Sequence, residues 1–244
     1  MLQNEGMDFS DAATDGRAPT RTITDDVWLV IPLYNEDAVV GDVVAEARKT
    51  FPNVVCVDDG STDDSAERAR EAGAVVVRHA VNLGQGAALQ TGIEYARAQE
   101  GARYLVTFDA DGQHQVEDAL AMVELARAED VAIVFGSRFL DDRTRPGLLK
   151  RLVLRTAVWF TNQSTGLRLT DAHNGLRVIR VDAARHVDLH QDRMAHASEI
   201  VLQLGRTRLP WREHPVHVLY TDYSKAKGQS LWNSVNILVD LVFK

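Results

Sequence analysis

From Val27 onward the chain alternates short apolar runs with amphipathic segments, and each apolar run empties into a polar cluster. The runs cover 27–31 (VWLVI), 54–57 (VVCV), 74–77 (AVVV), 104–108 (YLVTF) and 131–135 (VAIVF); helix-like segments cover 37–50, 63–72, 86–99 and 116–128. Such short apolar runs suit buried strands, and their alternation with helices predicts the α/β class. The expected architecture is a mainly parallel, Rossmann-like sheet flanked by helices. Within 63–72, Thr62 or Asp63 is placed to cap, and Ala66, Ala69 and Ala72 recur at helical spacing. Ligands of such sheets bind beyond the carboxyl ends of the strands. The clusters PLYNE, DDGSTD, NLGQG, DADGQH and GSRF fall there, which predicts one composite site assembled from five loops.

Bulk properties narrow the partners. At 244 residues the chain has room for one large domain with appendages. With 27 basic against 35 acidic side chains, the net charge of -8 argues against a general nucleic-acid binder. A single cysteine, Cys56, excludes a disulfide framework and a multi-cysteine zinc site; its apolar setting predicts a buried filler and fits a reducing compartment. No apolar stretch approaches the roughly 20 residues that cross a bilayer, and the acidic, polar start lacks a signal pattern. The expected division is a disordered extension over 1–24, the main domain over 25–230 and an amphipathic helix over 231–244. Residues 148–160 gather Leu148, Leu149, Leu152, Val153, Trp159 and Phe160 on one helical face, and 231–243 gather Leu231, Val235, Leu238 and Val242. Each of these faces either packs back on the domain or lies on a membrane or partner.

The chemistry concentrates in the polar clusters. Asp109 and Asp111 follow a buried run, with Gln113 two places on. Two carboxylates turned into one pocket repel, so they favour a proton or a divalent cation. Oxygen ligands with open positions suit Mg²⁺ or Mn²⁺, which in turn bridge phosphates. Asp58 and Asp59 end another run, where they can accept hydrogen bonds from a base N–H or ribose hydroxyls. Gly84 and Gly86 open a helix, an arrangement able to cradle an anion with free N–H groups. Together with Arg138 these residues make a coherent diphosphate pocket. His114 and His173 flank the acidic loops; His186, His190, His196 and His214 are expected at the surface, and His217 in a structural role.

VIPLYNE, VDDGSTD, NLGQGAAL, TFDADGQH and GSR, in that order, resemble glycosyltransferase family 2, with its nucleotide-sugar-binding GT-A fold. DAHNGLRVI (171–179) is similar to a segment of dolichol-phosphate-mannose-synthase-like polyprenyl-phosphate glycosyltransferases. YSKAKGQS (223–230) resembles the Gly-x-Ser loop of those enzymes, where Gly-x-Ser-Lys is the commoner form. The resemblance implies donor contacts from Pro32, Tyr34, Glu36 and Asp59, joined by Asp58, Gly84, Gly86, Asp109 and Arg138. It implies a metal held by Asp109, Asp111 and Gln113, with Asp111 the firmer ligand. Arg138, Arg177, Lys227 and Ser230 would meet donor or acceptor phosphates, and Asp111, Asp171, Arg177 and Glu199 would carry catalysis. The implied reaction is metal-dependent and inverting, from a UDP-, GDP- or dTDP-sugar.

The acceptor depends on whether a base is needed. A hydroxyl acceptor needs a general base within hydrogen-bond reach, and Asp171 and Glu199 are the candidates. A lipid phosphate is already an anion and needs cations, which Arg177, Lys225 and Lys227 supply. Many family members that glycosylate hydroxyls carry Glu-Asp where this chain has Ser198-Glu199. That difference turns the reading toward an undecaprenyl- or dolichyl-type polyprenyl phosphate, with the protein peripheral at the cytoplasmic face of a membrane. Two alternatives stay open: transfer to a sugar hydroxyl in cell-surface polysaccharide assembly, and a non-catalytic nucleotide-sugar-binding subunit.

Overall fold

Each of the five apolar runs becomes a strand, within two residues of its expected bounds: β1 (Val27–Leu33), β2 (Asn53–Asp58), β3 (Val75–Arg78), β4 (Tyr104–Thr107) and β5 (Ile133–Ser137). The structure is a computed structural model that describes residues 22–140, 162–163, 165–191 and 195–219. Two further strands, β6 (Arg177–Arg180) and β7 (Trp211–Pro215), complete a seven-stranded sheet of order β3-β2-β1-β4-β6-β5-β7. The helices are α1 (Val40–Arg48), α2 (Ser65–Glu71), α3 (Gln85–Arg97), α4 (Val116–Ala128), a single turn α5 (Val181–Ala184), and α6 (Ala195–Arg206).

The sheet is parallel except at one strand. β6 runs opposite to both β4 and β5, pairing Thr107 with Arg177 on one side and Phe135 with Arg177 on the other. Its first residue therefore sits at the carboxyl ends of its neighbours, where the site loops gather. Strand alternation sorts the core into two layers. Leu29, Ile31, Val44, Phe108 and Met122 pack on one face, and Val30, Val57, Ile93, Leu105 and Ile133 on the other. Full burial of each such side chain contributes about 1.5–3 kcal/mol relative to exposure. Cys56 is buried with them, and burial pushes its thiol up to about 12, so it remains a protonated filler.

Local details differ from the expectations in readable ways. α2 begins at Ser65 rather than at 63, because Asp63 accepts the Ser65 N–H at 3.0 Å and turns the chain before the helix. Thr24, at the end of the segment expected as an extension, is buried, and its Oγ1 donates to the Thr50 carbonyl at 2.6 Å. β7 ends at Pro215, so His217 lies beyond the strand, where its N–H donates to Asp118 Oδ2 at 2.6 Å. Residues 1–21, the segment 148–160, Lys225, Lys227, Ser230 and the helix expected over 231–244 lie outside the described residues.

Candidate active site

A cavity of about 450 Å³ opens at the carboxyl ends of β1, β2 and β4. Pro32, Tyr34 and Glu36 line it from the β1 loop, Asp59 from the β2 loop, and Gly84 and Gln85 from the start of α3. Asp109 and Asp111 reach it from β4, Gly175 and Arg177 from the entry to β6, and His196 and Ala197 from the first turn of α6. The strands end here because the next residues are polar or glycine, and the parallel topology puts those ends on one sheet edge. The site is thus built from both halves of the chain.

The two central carboxylates differ in setting. Asp109 is held in place: its Oδ2 lies 2.9 Å from His114 Nε2, and a Cβ on Gly175 would come within 2.4 Å of the same oxygen. Thr107 Oγ1 donates to the Gly175 carbonyl at 2.5 Å and fixes that backbone against β4. Enclosure works to raise the Asp109 pKa, but the His114 hydrogen bond and the charges of His114, Arg177 and His196 override it and hold the carboxyl below its usual range. Asp111 responds the other way. Enclosure, then the charges of Asp109 and Glu36, push it up to about 6, against the Gln113 N–H that it accepts at 3.0 Å. A third carboxylate, Asp59, organises the α3 entry: it accepts the N–H groups of Leu83 at 2.9 Å and Gly84 at 2.8 Å and meets His79 Nδ1 at 2.8 Å. Gly84 takes φ 96°, a left-handed turn that lets both N–H groups face one carboxylate.

The same geometry tests a divalent ion. Among the described residues no group of three or more His, Cys, Asp or Glu side chains is placed to hold one. Asp111 nevertheless fits a cation: Asp109 and Glu36 raise the free energy of its ionised form, which a divalent charge would relieve. Mg²⁺ and Mn²⁺ suit oxygen ligands, and Mg²⁺ sites in particular use one or two carboxylates plus substrate phosphates. A two-carboxylate cradle completed by a substrate is therefore the arrangement these residues fit.

Several expected site residues stand elsewhere. Asp58 is fully buried, accepts the Ser61 N–H at 3.0 Å and lies 3.0 Å from Arg78 Nε, so it braces the β2 turn rather than facing the cavity. Gln113 is buried off the cavity, and its main-chain carbonyl accepts the Leu219 N–H at 2.9 Å. Arg138 and Asp171 form a two-pronged pair, Nε to Oδ2 at 2.6 Å and Nη2 to Oδ1 at 2.8 Å, and neither lines the cavity. Burial opposes the ionised Asp171, but Arg138 and the N–H groups of Arg138 and His173 hold its carboxyl below the usual range. Glu199 points to the 190–191 turn, accepting the N–H groups of His190 at 3.1 Å and Gln191 at 2.9 Å. Gly86 packs instead of cradling an anion: a Cβ there would fall 2.2 Å from the Gln191 carbonyl oxygen and 3.0 Å from His196 Cβ.

Other residues line the cavity beyond those given a catalytic, donor-binding or metal role from the sequence. His196, expected at the surface, is buried and lines the cavity. His173 lines it too; burial, ahead of the charges of Arg138 and Arg177 and against that of Asp171, brings its pKa down to about 4, so it is a neutral wall. Asn82 and Gln85 complete the α3 side. His186 and His190 are exposed as expected, His190 beside Asp188 at 3.0 Å. The signal for His196 lay in Gly86, whose missing side chain makes room for it, but that link spans 110 residues and no local pattern carries it.

The family profile described as glycosyl transferase family 2 matches residues 28–188, which include every cavity element except α6. The chain belongs to glycosyl transferase family 2. It is 33% identical over 225 residues to an uncharacterized protein of Methanocaldococcus jannaschii, covering 90% of this chain and 92% of that one. It is 27% identical over 238 residues to the UDP-N-acetylglucosamine–dolichyl-phosphate N-acetylglucosaminyltransferase of Methanococcus voltae, covering 88% and 94%. In fold it is similar to glucosyl-3-phosphoglycerate synthase from Mycobacterium tuberculosis in complex with Mn²⁺ and UDP-glucose, with a TM-score of 0.62, 19% identity and 92% and 83% coverage. This family 2 chain is a glycosyltransferase with the GT-A fold. No helix among its described residues is long and apolar enough to cross a membrane.

Proposed function

We propose that the protein transfers a sugar from a nucleotide-sugar donor to a polyprenyl phosphate, with inversion at the anomeric carbon. The observation that carries this reading is the state of the two candidate bases. Asp171 is locked to Arg138 and Glu199 is engaged by two backbone N–H groups, so neither carboxylate faces the cavity. A hydroxyl acceptor would lack a carboxylate base in this half of the site among the described residues. A phosphate acceptor needs none. Arg177 in the cavity wall offers the cation such an acceptor requires. Relatives point the same way: besides the Methanococcus voltae enzyme, an undecaprenyl-phosphate mannosyltransferase of Micrococcus luteus is 30% identical over 174 residues.

In this reading Tyr34, Glu36 and Asp59 orient the nucleoside, and Asp109, held by His114 and Gly175, faces the donor ribose and diphosphate. Asp111, with Asp109 beside it, would hold a divalent ion, which offsets the charge that develops on the departing nucleoside diphosphate. Arg177 holds the attacking phosphate against the sugar. The protein would work peripherally at the cytoplasmic face of a membrane, with 25–230 as its transferase domain and 231–244 as a docking helix. A panel of UDP-, GDP- and dTDP-sugars, assayed with and without polyprenyl phosphate and Mn²⁺, tests the reading. Product that requires the lipid phosphate is expected; product formed only with a glycan acceptor would defeat it.

A further inference from the structure

Asp59 reaches the cavity at the head of a chain of side chains. Behind it stands His79, which falls between the DDGSTD and NLGQG clusters. His79 Nδ1 lies 2.8 Å from Asp59 Oδ1, and its Nε2 lies 3.0 Å from Thr91 Oγ1. The three residues come from three elements: Asp59 follows β2, His79 follows β3, and Thr91 sits in the second turn of α3. The His79 side chain is only 10% exposed.

Donor and acceptor roles follow from the carboxylate. An ionised carboxylate only accepts, so Nδ1 carries the proton it shares with Asp59. Nε2 of the neutral ring is then an acceptor, and the Thr91 hydroxyl donates to it. Hydrogen bonds in such a chain polarise and strengthen one another. Thr91 is itself held by the backbone beside it. A Cβ on Gly92 would stand 2.3 Å from Val30 Cγ1 and 3.2 Å from Val57 Cγ2, so the bare glycine lets α3 lie close on the sheet. The His79 N–H donates to the Asp58 carbonyl at 2.9 Å, and the Asp59 N–H to the Leu33 carbonyl at 2.8 Å. The chain of side chains is thus anchored in the rigid scaffold at both ends.

This arrangement selects the part of Asp59 that a ligand can use. A carboxylate offers about four lone-pair positions. Among the described residues Oδ1 takes His79 and the Leu83 N–H at 2.9 Å, and Oδ2 takes the Gly84 N–H at 2.8 Å. The open position is on Oδ2, in a residue that lines the cavity while only 2% exposed. Rotation of the carboxylate would interchange its oxygens, and His79 is the side-chain partner that opposes it.

We propose that His79 is a positioning residue for nucleotide binding: steadied by Thr91, it holds Asp59 with the open position of Oδ2 toward the nucleoside of the donor. The inference rests on the reading above in which Asp59 orients that nucleoside.

Nucleotide affinity and turnover are read separately. UDP, GDP and dTDP are titrated with Mn²⁺ into the wild-type full chain, His79→Leu, His79→Asn and Thr91→Val, and heat is measured. For the nucleotide that wild type binds, His79→Leu is expected to raise Kd about tenfold, the loss of one charge-assisted hydrogen bond. The side-chain amide of His79→Asn can donate from near the place of Nδ1, so its Kd is expected within about threefold of wild type. A packing role predicts the reverse order, since leucine fills the space better than asparagine. Thr91→Val, which leaves Asp59 untouched, is expected to weaken binding about threefold. In the transferase assay KM for the donor should follow Kd, with kcat changed less than about twofold. Unchanged affinity in His79→Leu, equal losses in His79→Leu and His79→Asn, or a fall in kcat alone would overturn the proposal. Should the variants fail to fold, the wild-type ring decides: ¹⁵N spectra at about pH 7.5 are expected to show a proton on Nδ1, and a bare Nδ1 overturns the proposal. Failure of the donor reading has its own signature, since wild type would then bind none of the nucleotides and the proposal would fall with it. Failure of the proposal alone leaves wild-type binding intact and indifferent to residue 79.

Discussion

Gly175 leaves Asp109 the space it occupies: a methyl group at 175 would stand 2.4 Å from Asp109 Oδ2 and 3.1 Å from its Oδ1. His114 closes the other side at 2.9 Å, so the carboxylate is clamped between an imidazole and a bare backbone.

Gly175→Ala should therefore displace Asp109 while leaving the sheet in place. A displacement of about 1 Å in a reacting constellation costs up to roughly a hundredfold in rate. The expected result is a kcat reduced by about that factor with a circular-dichroism spectrum like the wild type. Unchanged turnover would mean that the position of Asp109 does not matter to catalysis.

Asp111 sets stability against function. Its folded-state pKa of about 6 lies above the unfolded value of 3.8, so the folded chain holds a proton that the unfolded chain releases between those pH values. Stability consequently falls as pH rises through that window. Asp111→Asn should raise the Tm of the metal-free protein at pH 7.5, by roughly 2–4 °C for each kcal/mol relieved, and have little effect near pH 3.5. The same variant should lose metal-dependent transfer. A Tm that falls at pH 7.5 would show the carboxylate to be a structural ligand.

The Arg138–Asp171 pair has the opposite sign. Asp171 is held below its unfolded value, so its contribution is present above the ordinary carboxylate range and is lost as pH falls through and below it. Removing one member leaves a buried charge uncompensated, at about 3–5 kcal/mol. Asp171→Asn should lower the urea midpoint by a corresponding amount at pH 7, and by a diminishing amount as pH falls below the ordinary carboxylate range. Loss of turnover with full stability would instead mark Asp171 as a reacting group.

Glu199→Gln distinguishes the acceptors. The amide oxygen of glutamine can still accept from His190 and Gln191, so stability should drop by about 1 kcal/mol or less. Transfer to a lipid phosphate should persist within a few-fold of wild type. Near-total loss of turnover with donor binding intact would favour a hydroxyl acceptor and a base at 199.

The first half of the site is legible in the sequence because its signals are local. Apolar runs such as VWLVI and YLVTF define strands by themselves, and a polar cluster after each marks its end. The second half of the site is built from distant pairings. RVIR has only two apolar residues between arginines, so nothing local announces that β6 lies between β4 and β5. Asp171 and Glu199 read as candidate bases because a carboxylate in sequence looks the same whether it faces substrate, an arginine 33 residues away or two backbone N–H groups. His196 reads as a surface histidine for the converse reason, since its burial depends on a glycine in another helix.

The antiparallel strand also bears on how such enzymes can be re-engineered. Because β6 is hydrogen-bonded between β4 and β5, the segment that delivers Gly175 and Arg177 is woven into the centre of the scaffold. A graft that exchanges the chain after β5 for that of another transferase must replace an interior ladder, not an appended module. Chimeras cut there would have to match register with Thr107 and Phe135 before they could present any new acceptor.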